Sequence, residues 1–205
     1  MPHCKELANG VSLLLIPCEA ESVAVGVFVA SGSRHEPDAL SGISHFIEHM
    51  LFKGTSSRRQ IDITRAIEGK GGNFNAYTSE EATCYYVHMP NECLATAVDI
   101  LADMYHNASF DEDEFKREKE VVIEEIRMYQ DDPDSVALEN LQRNLFPENR
   151  LGVPVAGSEK TLRPLRATDL KHYLKSHYLP RATTVVVVGA FEEEKAIKLV
   201  ERSFT

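Results

Sequence analysis

The sequence predicts an α+β fold in which helices pack on one face of a largely antiparallel β-sheet. Strand and helix signals alternate along the chain, but their order departs from the regular strand–helix–strand repeat of a parallel sheet. The chain has 205 residues, of which 43% are hydrophobic and 26% charged, a balance typical of a globular domain with a full core. Neither a repeat nor a low-complexity linker divides it. We therefore expect a single domain over residues 1–205.

The first elements are two strands and a helix. Residues 11–16 and 22–29 are rich in aliphatic and β-branched side chains and predict strands. A polar loop follows, and then a helix that Ser41 or Ser44 can cap and that Gly54 ends. The apolar residues expected on the buried face of this helix are Ile43, Phe46, Ile47, Met50 and Leu51.

The middle of the chain predicts a helix and a hairpin. Residues 61–69 have helical spacing and end at Gly69. A glycine turn leads into residues 73–89, where strand-forming residues flank the polar patch 79–81, so a strand, a turn and a second strand are expected.

Helices dominate the remainder. Residues 92–107 show helical spacing, and an acidic helix begins at Asp111 and breaks at residues 131–134. Two more helices are expected at residues 135–146 and 169–177, the second capped by Thr168. Residues 183–189 are apolar and predict a final strand.

The first helix contains the pattern His-x-x-Glu-His at residues 45–49. Residues four apart lie on one helix face, so His45 and His49 can share a metal ion, with Glu48 on the same face. Zinc held by few protein ligands keeps an open position, where a bound water is acidified and a nearby carboxylate can take its proton. This order of residues is that of the inverzincins. Taken alone, the motif leaves a metal site and a chance pattern equally open.

A two-histidine site needs a further anionic ligand, and the acidic helix can supply one. Glu118 and Glu125 are seven residues apart and lie nearly above each other on that helix. Composition alone favours an ordinary solvated helix. The buried stripe of the helix would consist of Val121, Val122, Ile126 and Tyr129.

Together, the two segments at this separation resemble the insulinase, pitrilysin and mitochondrial processing peptidase family of zinc metallopeptidases, and most strongly its processing-peptidase branch. The likeness extends through nearly the whole chain, including Gly-Gly-Asn-Phe-Asn-Ala-Tyr-Thr at residues 71–78. The resemblance implies Zn²⁺ as the cofactor and an endopeptidase that cleaves extended or unfolded peptides. It implies that His45, His49 and Glu125 bind zinc, that Glu48 is the catalytic base, and that Glu118 supports catalysis by holding the site.

Two further residues enter through the resemblance. In the family, the positions of Asn75 and Ala76 lie on an edge strand that pairs with the backbone of the peptide substrate. From the sequence alone, a simple hairpin strand is the more favoured interpretation of this segment.

The chain stops where the first of two similar family domains would end. The resemblance therefore implies an N-terminal, zinc-binding catalytic half that lacks its second domain and needs a partner half, a partner subunit or a second copy of itself. Two hypotheses follow: a catalytic half, or a non-catalytic structural or binding subunit. The intact ligand set favours the enzyme, although we expect the isolated chain to be poorly active.

Charge and hydropathy exclude several other classes of protein. The formal net charge of −10 argues against a nucleic-acid partner. No stretch approaches the roughly 18 apolar residues of a membrane span, and no signal-peptide core is present, so we expect no membrane partner and a cytoplasmic or organelle-matrix location. The four cysteines lack metal-site spacing and are expected to be reduced.

Overall fold

A computed structural model describes residues 2–204 and confirms the α+β fold with a mainly antiparallel sheet. Within these residues, six strands form one sheet: β1 (His3–Glu6), β2 (Ser12–Pro17), β3 (Ser22–Val29), β4 (Asn73–Thr78), β5 (Thr83–Pro90) and β6 (Thr183–Gly189). The helices are α1 (Ile43–Leu51), α2 (Gln60–Glu68), α3 (Leu94–Asn107), α4 (Glu112–Asp131), α5 (Pro133–Leu145), α6 (Glu159–Leu162), α7 (Ala167–His177) and α8 (Glu193–Ser203).

The strand order across the sheet is β1-β2-β6-β3-β5-β4. Only β2 and β6 run parallel, and every other neighbouring pair is antiparallel. Strand β4 lies at one edge of the sheet, where it pairs with β5 alone. One side of β4 is therefore open for a further strand to add to the sheet.

Alternation of side chains along the strands explains why the helices cover one face. In β3, Val23, Val25, Val27 and Val29 are buried, while Ala24 and Phe28 on the opposite face are half-buried. Strand β6 alternates in the same way. Successive side chains of a strand point to opposite faces, so the buried set defines the face on which the helices pack. The helix residues Phe46, Val98 and Val200 belong to the same core as these valines.

Several predicted boundaries are confirmed, and two helix caps are corrected. Helix α4 starts within one residue of its predicted start, and the Asp111 side chain caps it by accepting hydrogen bonds from the backbone N–H groups of Asp113 and Glu114. Neither Ser41 nor Ser44 caps α1, because that helix starts after Gly42 and receives its cap from outside the helix, from Glu36. The predicted cap Thr168 lies inside α7.

Two further expectations differ from the structure. Helix α7 begins one residue before Thr168, after Arg166, whose N–H donates to the Asp169 carboxylate. Val121 is 51% exposed, and Ile123 takes its place in the buried stripe of α4. Val122 and Ile126 are buried as predicted, so the buried stripe runs through Phe115, Val122, Ile123 and Ile126. The elements β1, α6 and α8 were not predicted.

Candidate metal centre and active site

Packing between α1 and α4 brings the predicted site residues together. The ring of Phe46 stacks on that of Phe115, with centroids 4.9 Å apart and 19° between the ring planes. Phe46 belongs to the buried face of α1, so His45, Glu48 and His49 are left on the edge that borders α4. Two turns of α4 separate Glu118 from Glu125. Glu125 lies close to both His45 and His49, and Glu118 lies close to His49.

The three predicted ligands form a compact donor set. One donor atom from each of His45, His49 and Glu125 lies within 4.8 Å of the others. Glu125 Oε2 is 3.3 Å from His49 Nε2 and 3.8 Å from His45 Nε2. Two imidazoles and one carboxylate are the ligand types of catalytic zinc sites. The residues present therefore fit a zinc ion.

The electrostatics of this cluster suit a metal. Burial lowers the pKa of His45 to about 4, which leaves its ring neutral and able to coordinate. Burial opposes protonation of His49 as well, but hydrogen bonds to Glu118 and Glu125 outweigh it and raise the pKa of His49 to about 9. The hydrogen bond to His49 also lowers the pKa of Glu125 to about 2. The two ring nitrogens of His49 thus face the carboxylates of Glu118 and Glu125, and a metal bound at Nε2 would compete with a proton there.

Glu118 holds His49 from the side away from Glu125. Its Oε1 is 2.8 Å from His49 Nδ1, and its Oε2 is 2.6 Å from Lys53 Nζ. A carboxylate on the distal nitrogen fixes the orientation of a ligand histidine and increases its basicity. Glu118 therefore lies beside the predicted ligands, within hydrogen-bond distance of both His49 and Lys53.

Tyr129 holds Glu125 in a similar way. Its hydroxyl donates a hydrogen bond of 2.7 Å to Glu125 Oε1, which leaves Oε2 directed at the histidines. This bond raises the pKa of Tyr129 to about 12. The sequence analysis placed Tyr129 in the buried stripe and missed this contact. The signal available was its spacing of four residues from Glu125 on one helix face.

The predicted base, Glu48, contacts the edge strand. Thr78 Oγ1 donates a hydrogen bond of 2.5 Å to Glu48 Oε2. Burial raises the pKa of Glu48, and the bond from Thr78 opposes that rise. A carboxylate with a raised pKa is a better proton acceptor for catalysis near neutral pH than an ordinary exposed glutamate. Sequence reasoning did not identify Thr78.

Strand β4 carries the predicted substrate-binding residues. Asn75 is exposed, Ala76 is half-buried, and Asn75 Oδ1 accepts a hydrogen bond of 2.8 Å from the Ala76 N–H. The Asn75 side chain is therefore hydrogen-bonded to a backbone N–H of the edge strand. A peptide strand that pairs with this N–H would have to displace the Asn75 side chain. Because Thr78 is on the same strand, the edge and the predicted base are in direct contact.

A cleft of about 300 Å³ adjoins this cluster. His45, Thr78 and Tyr129 line one side of it, and α5 together with residues 154–156 lines the other. The cleft thus lies beside a predicted metal ligand and the end of the edge strand, with α5 opposite them.

The remaining sequence expectations concern surface glutamates and cysteines. Glu120 and Glu124 are exposed on α4, as predicted, and pair with Arg163 and Arg127. The four cysteines, Cys4, Cys18, Cys84 and Cys93, are free thiols. Within residues 2–204, no helix combines the length and hydropathy that a membrane span requires.

Comparison with known proteins bears on this site. An uncharacterised zinc protease of Bacillus subtilis (strain 168) is 42% identical over 197 residues, which are 96% of this chain and 48% of that protein. A probable mitochondrial-processing peptidase subunit beta of Arabidopsis thaliana is 35% identical over 186 residues, 91% of this chain and 35% of that protein. The chain spans about half the length, or less, of these relatives. The names of several relatives include zinc, in agreement with the predicted cofactor Zn²⁺.

Solved structures agree with the fold. A protease from Helicobacter pylori superposes with a TM-score of 0.95 at 25% identity, covering 100% of this chain and 50% of that chain. The periplasmic protease PqqL from Escherichia coli gives a TM-score of 0.91 at 25% identity, covering 98% of this chain and 23% of that chain. The sequence also matches two protein-family models. The family model described as insulinase, peptidase family M16, matches residues 15–159, and that of the peptidase M16 inactive domain matches residues 164–205. The predicted resemblance is confirmed, and the chain belongs to the insulinase family of peptidases.

Proposed function

We propose that this chain is the zinc-binding catalytic half of a metalloendopeptidase that hydrolyses extended or unfolded peptides. The observation that carries the proposal is the convergence of His45, His49 and Glu125 within 4.8 Å, with Glu48 beside them on α1. Zinc held by these three residues would supply Lewis-acid chemistry, polarising the scissile carbonyl and acidifying a water.

The side chains of the site divide the remaining work. Glu48 accepts the proton of the attacking water and returns it to the leaving amine. Thr78 holds the carboxylate of Glu48 by its hydrogen bond, so the base keeps its place while the proton moves. Tyr129 and Glu118 keep Glu125 and His49 in position. These contacts support efficient catalysis because the groups are oriented before the substrate arrives.

The open edge of β4 supports binding of an extended peptide. A substrate that adds to the sheet beside Asn75 and Ala76 would run past Thr78 and reach Glu48. Main-chain pairing does not depend on side chains, so it favours broad sequence tolerance, and the neighbouring cleft would provide selection.

A second domain or subunit is part of the proposal. The chain covers about half of its relatives, and α5 carries three exposed leucines beside the cleft. Leu138, Leu141 and Leu145 are each more than half exposed, an apolar patch that a partner half would cover. Such a partner would also shield the site from water, which strengthens the electrostatic interactions within it.

Metal analysis of point variants tests the proposal. Protein stripped with a chelator and reloaded is expected to hold one zinc per chain, and His45→Ala and Glu125→Ala should lose it. Glu120→Ala and Glu124→Ala are matched controls, because both glutamates are exposed on the same helix, and they should keep zinc. Full occupancy in His45→Ala and Glu125→Ala would show that the ligands are wrongly assigned.

A cleavage assay separates the enzyme from its alternative. An unfolded protein substrate is incubated with the zinc-loaded chain, with and without the complementary half of the enzyme. Cleavage that requires both zinc and Glu48 supports the catalytic half. Zinc binding without cleavage under either condition would favour the non-catalytic subunit.

A further inference from the structure

The N-terminus of α1 is held by a carboxylate from outside the helix. The helix starts after Gly42, which has a φ of 94°, and its own side chains supply no capping hydrogen bond. Instead, Glu36 Oε2 accepts a hydrogen bond from the Gly42 N–H and Oε1 accepts one from the Ser44 N–H, each of 2.8 Å. The first N–H groups of a helix lack partners within it, and an anion there is favoured by the helix dipole. Glu36 therefore fixes the turn that leads directly into His45.

The Glu36 carboxylate is fully buried, with 0% of its side chain exposed, and Arg150 is its cationic partner. Arg150 Nη2 lies 3.3 Å from Glu36 Oε2 and 3.1 Å from the Ser33 carbonyl oxygen, while Nη1 lies 3.2 Å from Asp38 Oδ1. Burial raises the pKa of Glu36, and the hydrogen bonds from Ser44 and Gly42, followed by the positive charge of Arg150, oppose that rise. Loss of one member of a buried ion pair leaves the other charge uncompensated, so the two residues depend on each other.

The segment that carries Arg150 also forms a wall of the cleft. Residues 154–156 follow its turn and line the cleft, and Ala156 and Gly157 pack backbone to backbone against Ser41 and Gly42. A Cβ atom at Gly42 would lie 2.5 Å from the Ala156 carbonyl oxygen, and one at Gly157 would lie 2.3 Å from the Ser41 carbonyl oxygen. Both glycines have a positive φ, so neither position tolerates a side chain. The start of α1 and the wall beside His45 are thus one packed unit.

We propose that Arg150 is a positioning residue that acts through Glu36 to hold the first turn of α1, and with it His45, in the geometry that binds zinc. Arg150 contacts none of His45, His49 and Glu125, and its influence passes through the buried carboxylate and two backbone hydrogen bonds. The effect on zinc rests on the proposed function, whereas the effect on the helix start does not.

The test compares Arg150→Met with Asp38→Asn. Asp38 is the other carboxylate paired with Arg150, but its side chain is 95% exposed, which makes it a matched control. We expect Arg150→Met to raise the dissociation constant for zinc about tenfold. This is the lower end of the range for residues that hold metal ligands indirectly. The absorption spectrum of the cobalt(II)-substituted protein should change as well. Asp38→Asn should match the wild type in both measurements.

Hydrogen exchange of the metal-free protein gives an independent readout. Backbone amides of Gly42 and Ser44 should exchange about tenfold faster in Arg150→Met, because their acceptor is no longer held. Arg150→Lys keeps the charge but loses the forked geometry, so it should fall between the wild type and Arg150→Met. Glu36→Gln combined with Arg150→Met should be no more than slightly worse than the worse single variant, because both residues act through one contact.

The outcomes distinguish this inference from the proposed function. Unchanged exchange at Gly42 and Ser44 in Arg150→Met would overturn it, whether or not zinc binds. Faster exchange with wild-type zinc affinity would overturn the link to the metal site. A wild-type chain that binds no zinc would refute the proposed function, and the exchange measurement would still decide the role of Arg150 at the helix start. If Arg150→Met does not fold, Arg150→Lys carries the same measurements, and wild-type values there would overturn the inference.

Discussion

Replacement of Tyr129 by phenylalanine isolates one hydrogen bond at the proposed metal centre. The change removes only the hydroxyl that donates to Glu125 Oε1 at 2.7 Å and keeps the aromatic ring. Glu125 Oε2 would still face His45 and His49, but the carboxylate would be free to rotate about its side-chain torsions. We expect zinc to bind more weakly, with the fold unchanged.

The size of the effect follows from charge and exposure. A hydrogen bond to a charged group contributes about 1.5–3 kcal/mol. The Glu125 side chain is 22% exposed, so water can replace part of the lost bond, and the lower end of that range applies. A loss of about 1.5 kcal/mol corresponds to roughly a tenfold larger dissociation constant. This also lies at the lower end of the effect expected for a residue that holds a metal ligand.

Competition with a coloured zinc chelator at fixed pH measures this constant. Tyr86→Phe is the matched control, because Tyr86 is an exposed tyrosine of β5 on the sheet face opposite the core residue Tyr85. Equal zinc affinity in Tyr129→Phe and the wild type would show that Glu125 is either not a ligand or does not need this bond.

Three other predictions concern catalysis, stability and completeness. Glu48→Gln should keep zinc but lose about 10²- to 10⁴-fold in turnover, measured by peptide cleavage, because an amide cannot accept the proton; near-normal turnover would contradict the mechanism. The buried carboxylate of Asp103 on α3 accepts hydrogen bonds from Thr55, Arg58 and Asn107. Burial opposes its ionisation, but these bonds outweigh burial and lower the pKa of Asp103, so the stabilisation they give is present above about pH 4 and is lost as the pH falls through the lowered pKa. Asp103→Asn should therefore cost about 1–3 kcal/mol in urea unfolding at pH 7, and less at pH 3. The chain alone should cleave peptides poorly, and a complementary half should raise cleavage by orders of magnitude at constant zinc content; full activity of a monomer, shown by light scattering, would contradict this.

Local patterns in the sequence predicted most of the fold. Runs of aliphatic and β-branched residues located β2, β3 and β6, and the acidic segment that begins at Asp111 located the start of α4. The strand β1 has four exposed residues and no apolar alternation, so nothing in its sequence distinguishes it from a loop. Its place in the sheet comes from pairing with β2, which is a property of the folded chain. Topology of this kind depends on contacts between residues that are distant in sequence.

Some residues of the candidate site could likewise be predicted from the sequence, and others could not. The histidines and Glu48 follow from spacing on one helix. Glu118 and Glu125 follow from the need for an anionic ligand on a second helix, and the family resemblance then gave Glu125 the ligand role. The contacts that hold them join distant segments: Thr78 reaches Glu48 from the edge strand, and Glu36 reaches α1 from a loop. A threonine or a glutamate in a loop carries no local signal of such a role. Sequence spacing therefore predicts candidate ligands, while the residues that orient them require the tertiary structure.

Charge connects the proposed metal site to the proposed base. The Glu118 carboxylate lies between His49 and Lys53, and Glu48, whose pKa is raised by burial, lies beside this cluster on α1. A divalent cation held by His45, His49 and Glu125 would add positive charge next to Glu48. A nearby positive charge favours the ionised form of a carboxyl group. We therefore expect the zinc-loaded protein to hold Glu48 as a carboxylate, the form that can accept a proton, more firmly than the metal-free protein does.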